Sequence, residues 1–117
     1  MSTWDASIFA EEANVDFLDD LAELDDDDIV EAIRDACLLV VKQPGASEED
    51  RQNGLAAATI AAIWAGAPFS AGEVAESYPY IRALVGSGDE ELNAAAAELL
   101  EGVDTDADLD QFTEALT

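Results

Sequence analysis

Carboxylates are the side chains of this protein that could do chemistry. The 117 residues include 28 Asp and Glu against four Lys and Arg, so the formal net charge is −24. Two carboxylates at a suitable separation can act as general acid and general base. The chain has no histidine, the commonest general base and metal ligand. Because so many acids fall three or four residues apart by chance, no pair stands out, and the sequence assigns no catalytic, cofactor-binding or metal-binding residue.

The C-terminal stretch partly matches a calcium-binding loop. Its acids alternate at Asp104, Asp106, Asp108 and Asp110. An EF-hand loop needs glycine at its sixth position and glutamate at its twelfth. Counted from Asp104, those positions hold Leu109 and Ala115. The sequence therefore predicts no dedicated calcium site, although weak surface binding of divalent cations stays open.

A second motif, Gly86-Ser87-Gly88, precedes a predicted helix. Backbone N–H groups at a helix start can hold a phosphate. This segment lacks the spacing of a phosphate loop, and the acids Asp89-Glu90-Glu91 that follow would repel an anion. The pattern favours a helix break.

The single thiol and most aromatic side chains are predicted to be core residues. Cys37 excludes an internal disulfide, and its apolar surroundings favour a buried thiol over a nucleophile. Trp4, Trp64, Tyr78 and Tyr80 could line a pocket, but aromatic residues at such positions more often pack in a core.

Apolar spacing predicts helices along the chain and no convincing strand. An apolar stripe marks the first helix at Phe17, Leu18, Leu21 and Leu24. Asn14 is its predicted N-cap. The alanine-rich segment that ends at Trp64 predicts a central helix, because alanine lets neighbouring helices approach closely. The other predicted helices run over about residues 28–42, 72–77, 80–85, 90–100 and a last stretch that carries Leu109, Phe112 and Leu116.

Part of the negative charge is explained by helix starts. Asp25–Asp28 precede the second helix, Ser47 with Asp50 resembles a capping box before the central helix, and either Asp89 or Ser87 is expected to begin the 90–100 helix. Acids at these places cap free N–H groups or lie near the positive end of a helix. The acids on exposed helix faces need another explanation, either a binding partner or adaptation to high salt.

The basic residues are expected to pair along their own helices. Arg34 lies beside Asp35 and one turn after Glu31, and Arg51 follows Glu48 by one turn. Such contacts are worth about a few tenths of a kcal/mol each, so they cannot offset the remaining repulsion between acids.

These signals predict an all-α fold, a compact single-domain bundle of about five or six short helices around the alanine-rich central helix. The domain spans residues 1–117. An irregular aromatic arm is expected over 1–12, and a C-terminal helix that frays is expected over 103–117.

A membrane-spanning segment is not expected. Residues 52–72 carry no charge, but their apolar part, 55–65, has about eleven residues against the roughly twenty that a spanning helix needs. The N-terminal residues show no pattern of a secretory signal. The expected location is the cytoplasm.

Two segments resemble a known family. The first is the opening stretch Trp4…Phe9-Ala10-Glu11-Glu12-Ala13…Asp16-Phe17-Leu18, and the second is residues 55–65 followed by Gly66-Ala67-Pro68. The family is an uncharacterised bacterial domain-of-unknown-function family whose members begin Met-Gly-x-Trp-Gly and continue Phe-x-Asn-Asp-x-Ala-x-Asp-Phe/Trp. Ser2 and Asp5 replace the family's glycines, and Glu11-Glu12 replace Asn-Asp. The resemblance covers most of residues 1–70. It implies a small, acidic, cytoplasmic helical protein and transfers no catalytic residue.

Several functions stay open. The favoured hypothesis is a non-catalytic binding or structural module, with a basic protein as the partner that the charge would attract. The alternative is a nucleic-acid mimic that binds a basic DNA-binding protein, and a further alternative is a carboxylate-based enzyme. Nucleic acid and membrane surfaces are not expected as direct partners, because both repel a polyanion. The acidity also matches adaptation to high salt, and the oligomeric state is left open.

Overall fold

The protein is a bundle of helices packed around one alanine-rich helix. The computed structural model describes residues 8–43, 45, 47–67, 76–102 and 110–116, without the side chains of residues 110 and 111. Within these ranges there is no strand. The helices are α1 (Glu12–Leu21), α2 (Asp26–Lys42), α3 (Glu48–Trp64), α4 (Tyr80–Ala83), α5 (Glu90–Glu101) and α6 (Asp110–Leu116). The fold is an all-α single-domain bundle with dimensions of 30 × 29 × 28 Å.

The predicted central helix is α3. All its residues from Ala56 to Trp64 are buried, and it contacts each of the other helices named above. Its alanines add little apolar area, but their small size lets several backbones come close. The tightest approach is at Gly54, where an added Cβ would lie 2.5 Å from Cγ2 of Val40 on α2. A glycine at this position is therefore what allows α2 and α3 to pack at their present distance.

The predicted cap of α3 is confirmed, and of the two candidates for the start of α5 the structure selects Asp89. The Ser47 hydroxyl accepts a hydrogen bond from the Asp50 backbone N–H at 3.1 Å, and Oδ1 of Asp89 accepts one from the Leu92 backbone N–H at 2.9 Å. Gly66, with φ of +113°, follows α3 in a conformation that favours glycine.

The prediction for the start of α1 is wrong. Its N-cap residue is Glu11, and Asn14 lies inside the helix, fully buried, with Nδ2 donating to the Ile8 carbonyl oxygen at 2.7 Å. Residues 8–10 are already helical, so the predicted irregular arm does not extend through them. Leu24 lies beyond the end of α1 and is 41% exposed, so it does not continue the apolar stripe. The Asn14 amide thus bonds to the turn six residues earlier and does not cap the start of α1.

The direction of α5 follows from two of its contacts. At its start Asp89 reaches Arg34 in the middle of α2, and near its end Leu99 lies with Val41 around one groove. The helix therefore runs alongside α2 in the same direction. Three long helices, α2, α3 and α5, thus contact one another and form the main body of the bundle.

Candidate functional site

The aromatic residues that could have lined a pocket instead hold elements together. Trp64 is 2% exposed, and its Nε1 donates to the Ile81 carbonyl oxygen at 3.1 Å. The Tyr80 hydroxyl donates to the Leu18 carbonyl oxygen at 3.0 Å. Both bonds join α4 to a distant helix, so these residues belong to the core. Trp4 lies outside the described residues.

Tyr78 connects the segment before α4 to α1. Its hydroxyl donates to Oδ1 of Asp19 at 2.5 Å, and its ring centroid lies 6.1 Å from that of Tyr80. The hydrogen bond to Asp19, with burial and that carboxylate's charge, raises the pKa of Tyr78 to about 12. Burial raises the pKa of Tyr80 as well. Both phenols are therefore neutral anchors at physiological pH.

Cys37 is a buried thiol, as its sequence context predicts. It has no exposed surface, and its Sγ lies 4.0 Å from the Gly54 carbonyl oxygen. Burial raises the pKa of the thiol to about 12. A neutral, enclosed thiol does not act as a nucleophile.

The glycine segment before α5 serves the fold. Gly86 has φ of +92°, and its N–H donates to the Trp64 carbonyl oxygen at 2.9 Å. The N-terminal end of α5 is already covered by the Asp89 carboxylate, which caps the Leu92 N–H. An anion is not favoured there, and the interpretation as a helix break is confirmed. Of the calcium-like stretch, Asp104, Asp106 and Asp108 and the side chain of Asp110 lie outside the described part of the chain.

The predicted pairing of basic residues along their own helices is wrong for two arginines. Arg34 binds Asp89, 55 positions away, through an ion pair between Nη2 and Oδ2. Glu48 accepts a hydrogen bond from Gln52 at 3.1 Å instead of pairing with Arg51. Among the described residues, Arg51 has no ion-pair partner. Sequence spacing could not reveal the first pair, because only the packing of α5 on α2 brings its members together.

Three concavities are described among residues 11–102, and the one with the most carboxylates in its lining, which we call the acidic cleft, lies between α1 and α3. It has a volume of about 450 Å³ and is lined by Glu11, Glu12, Ala13, Asp16, Glu48, Glu49 and Gln52. All five carboxylate residues are exposed, and none of the lining residues is basic. Two helix starts meet here, because Glu11 and Glu12 begin α1 and Glu48 and Glu49 begin α3. The cleft therefore concentrates negative charge in water-accessible positions and can attract cationic groups.

A second concavity, which we call the neutral groove, lies between the C-terminal ends of α2 and α5 and the first half of α3. It has a volume of about 510 Å³ and is lined by Val40, Val41, Gln43, Arg51, Leu55, Glu98, Leu99 and Gly102. Its four aliphatic residues are half-buried, whereas Arg51 and Glu98 are exposed. The groove thus combines an apolar floor with one cation and one anion.

A third cleft of about 390 Å³ is lined by Asp26, Asp27, Val30, Glu31, Arg34, Leu84 and Ser87. Its arginine is the one bound to Asp89. The remaining charges of the lining are carboxylates, so this cleft also favours cations.

Neither a metal centre nor a membrane-spanning helix is found in the described part of the chain. Among the described residues, no group of three or more Cys, Asp or Glu side chains is placed to hold a metal ion. Over the same ranges, no helix combines the length and the apolar character needed to cross a membrane.

Comparison with known proteins gives a family match. The family model described as "Domain of unknown function (DUF4259)" matches residues 2–115. No curated protein and no solved structure matches the chain.

Proposed function

The chain belongs to the DUF4259 family, whose description assigns no activity, and from its own surface we propose that it is a non-catalytic module that binds a basic protein. The observation that carries this proposal is the acidic cleft, in which five exposed carboxylates meet without a basic residue. A cation placed there interacts with several carboxylates at once, which raises affinity and speeds encounter.

The remaining surface supports the same proposal. The chain has four basic residues for 28 acids, and one of the four, Arg34, is already paired with Asp89. The described carboxylate residues are exposed except for half-buried Asp50. Such a field attracts basic proteins over distances of about a Debye length, roughly 8 Å at physiological salt.

Non-catalytic action agrees with the available side chains. The chain has no histidine, and its single thiol is enclosed with a raised pKa. Histidine-assisted catalysis and catalysis by a reactive cysteine therefore both lack their central group. The carboxylate-based enzyme remains the least supported alternative.

A charge-matched pair of variants tests the proposal. The cleft variant replaces Glu11, Glu12, Glu48 and Glu49 by Gln and Asp16 by Asn. The control variant replaces Glu23 by Gln and Asp20, Asp25, Asp28 and Asp35 by Asn, five exposed acids that line none of the three clefts. Both variants lose the same formal charge. Binding of a lysine-rich peptide is measured at low salt by titration calorimetry, and lysate proteins are captured on each immobilised variant.

We expect the cleft variant to bind the peptide at least about tenfold more weakly than the control variant, and to lose basic proteins that the control still captures. Equal losses in both variants would mean that binding follows net charge alone. Failure of the unsubstituted protein to enrich any basic protein would contradict the proposed function.

Nucleic-acid mimicry is the narrower form of this proposal. A mimic occupies the nucleic-acid groove of its partner, so duplex DNA must displace it. Release of the captured proteins by added duplex DNA would support mimicry. Retention of the complex would contradict mimicry and would be consistent with the more general proposal of a module that binds a basic protein.

A further inference from the structure

The neutral groove differs in charge from the other two clefts. Arg51 and Glu98 cancel in its lining, whereas the acidic cleft carries five carboxylates and the third cleft carries three besides its arginine. On a chain with a net charge of −24, a concave surface without net charge is unusual. Of the three concavities, it is the one whose lining repels another polyanion least.

The two charged residues of the groove form no ion pair within the described part of their own chain. Arg51 and Glu98 are both exposed, and neither has an ion-pair partner among the described residues. They flank an apolar floor formed by Val40, Val41, Leu55 and Leu99, all of them half-buried. Covering this floor would remove apolar surface from water, and each of the two charges could then gain a partner of opposite sign.

We propose that the neutral groove is the interface through which two copies of this chain pair about a two-fold axis. In a two-fold arrangement, a contact from residue i to residue j is repeated from j to i. Arg51 of one copy then faces Glu98 of the second copy, and the reverse contact forms as well. One surface thus supplies both halves of two ion pairs around a shared apolar centre.

A second copy fits the groove better than the other occupants do. An anionic ligand can pair with Arg51 but leaves Glu98 in the same lining without a partner, whereas a second copy brings a partner of opposite sign for each of the two. A basic protein gains more at the acidic cleft, where five carboxylates have no competing cation in the lining. The self-complementary pair of charges therefore favours the identical chain.

Salt is expected to act on this pairing in an unusual direction. Two copies repel through their net charges over long distance, and this repulsion weakens as the Debye length falls from about 30 Å at 0.01 M to about 3 Å at 1 M. Ion pairs in contact at a partly buried interface are screened much less. Pairing should therefore strengthen as salt rises, whereas binding of a basic partner should weaken.

A charge swap tests the interface directly. Association of the full chain is measured by sedimentation equilibrium at low salt and at about 0.5 M salt, for the unsubstituted protein, Arg51→Glu, Glu98→Arg and the double variant. Arg82→Glu is the matched control for Arg51→Glu, because it changes the net charge equally at a residue outside the groove. Far-UV circular dichroism confirms that each variant is folded.

We expect dimers of the unsubstituted protein at the higher salt, at least about tenfold weaker association in each single groove variant, and recovery in the double variant, which has the original net charge. Arg82→Glu should dimerise like the unsubstituted protein. Glu98→Arg is informative because it lowers the net negative charge and yet should weaken pairing.

A monomer at every salt up to millimolar protein concentration, or single swaps that leave dimerisation unchanged, would overturn the proposal. So would a double variant that stays monomeric, because a two-fold contact must be restored by the swap. The result is independent of the proposed function, since Arg51→Glu leaves the acidic cleft intact and should still bind the lysine-rich peptide.

Discussion

At the scale of single residues, Tyr78 shows how one carboxylate changes a neighbour's chemistry. Its hydrogen bond to Asp19 raises the pKa to about 12, and burial raises the pKa of Tyr80. We therefore expect little phenolate absorbance near pH 10, the ordinary tyrosine pKa. The folded state holds the Tyr78 proton more tightly than the unfolded chain does. The resulting stabilisation is complete below about pH 10 and is lost as the pH rises through about 12.

Ultraviolet titration of the two tyrosines tests this assignment. Asp19→Ala removes both the acceptor and the charge, so Tyr78 should titrate at lower pH than before, and Tyr80, whose pKa is raised mainly by burial, should shift less. In the double variant Asp19→Ala/Tyr78→Phe the larger of these shifts should be missing, which identifies the group as Tyr78. A titration curve that Asp19→Ala leaves unchanged would contradict the role of this hydrogen bond.

At the scale of helices, the contact between α2 and α3 depends on Gly54. Replacing glycine by alanine inside a helix usually stabilises it by about 0.5–1 kcal/mol. Here the new Cβ would lie 2.5 Å from Cγ2 of Val40 and 3.3 Å from the Ala36 carbonyl oxygen. Overpacking of this kind costs about 1–3 kcal/mol. We expect Gly54→Ala to lower the free energy of unfolding, measured in urea.

Two variants control for the general effect of removing a glycine. A Cβ added at Gly45 would have no atom of the described residues within 4 Å, so Gly45→Ala should be close to neutral. Adding Val40→Ala to Gly54→Ala removes the clashing methyl group and should recover part of the lost stability. If Gly54→Ala is as stable as the unsubstituted protein, the spacing of α2 and α3 does not depend on this glycine.

At the scale of the whole molecule, uncompensated charge should make stability depend on salt. Four basic residues cannot neutralise 28 acids, and the described carboxylate residues are nearly all exposed. Repulsion among them opposes the compact state, and salt screens it. We expect the melting temperature to rise between about 0.01 M and 1 M sodium chloride.

The five-site control variant, in which Asp20, Glu23, Asp25, Asp28 and Asp35 are neutralised, should show a smaller rise over the same salt range. Because those five side chains lie outside the acidic cleft, this comparison measures general repulsion and not the cleft. A melting temperature that does not rise in the unsubstituted protein would show that self-repulsion contributes little to its stability.

Much of the helical framework could be predicted from local residues. Ser47 and Asp89 mark the starts of α3 and α5, and Gly66 marks the end of α3. Capping and glycine conformations depend on a few neighbouring residues, so the sequence contains them directly. The prediction for the start of α1 failed because asparagine is a common N-cap residue, whereas Asn14 is buried inside the helix and its amide bonds to the Ile8 carbonyl oxygen.

The candidate sites could be located only from the tertiary structure. The acidic cleft joins residues about 35 positions apart, and the neutral groove joins parts of three helices. In the sequence, Arg51 and Glu98 each look like ordinary surface charges. Arg34 pairs with Asp89 although other acids lie closer to it along the chain.

The sequence by itself determined the composition, the net charge of −24, the helical class and the central position of the alanine-rich helix, because these follow from residue type and short-range spacing. Only the packing of α1, α2 and α5 on α3 decided where the charge is concentrated and where it cancels. Electrostatic interaction depends on distance in space, and the chain order of the acids does not contain that distance.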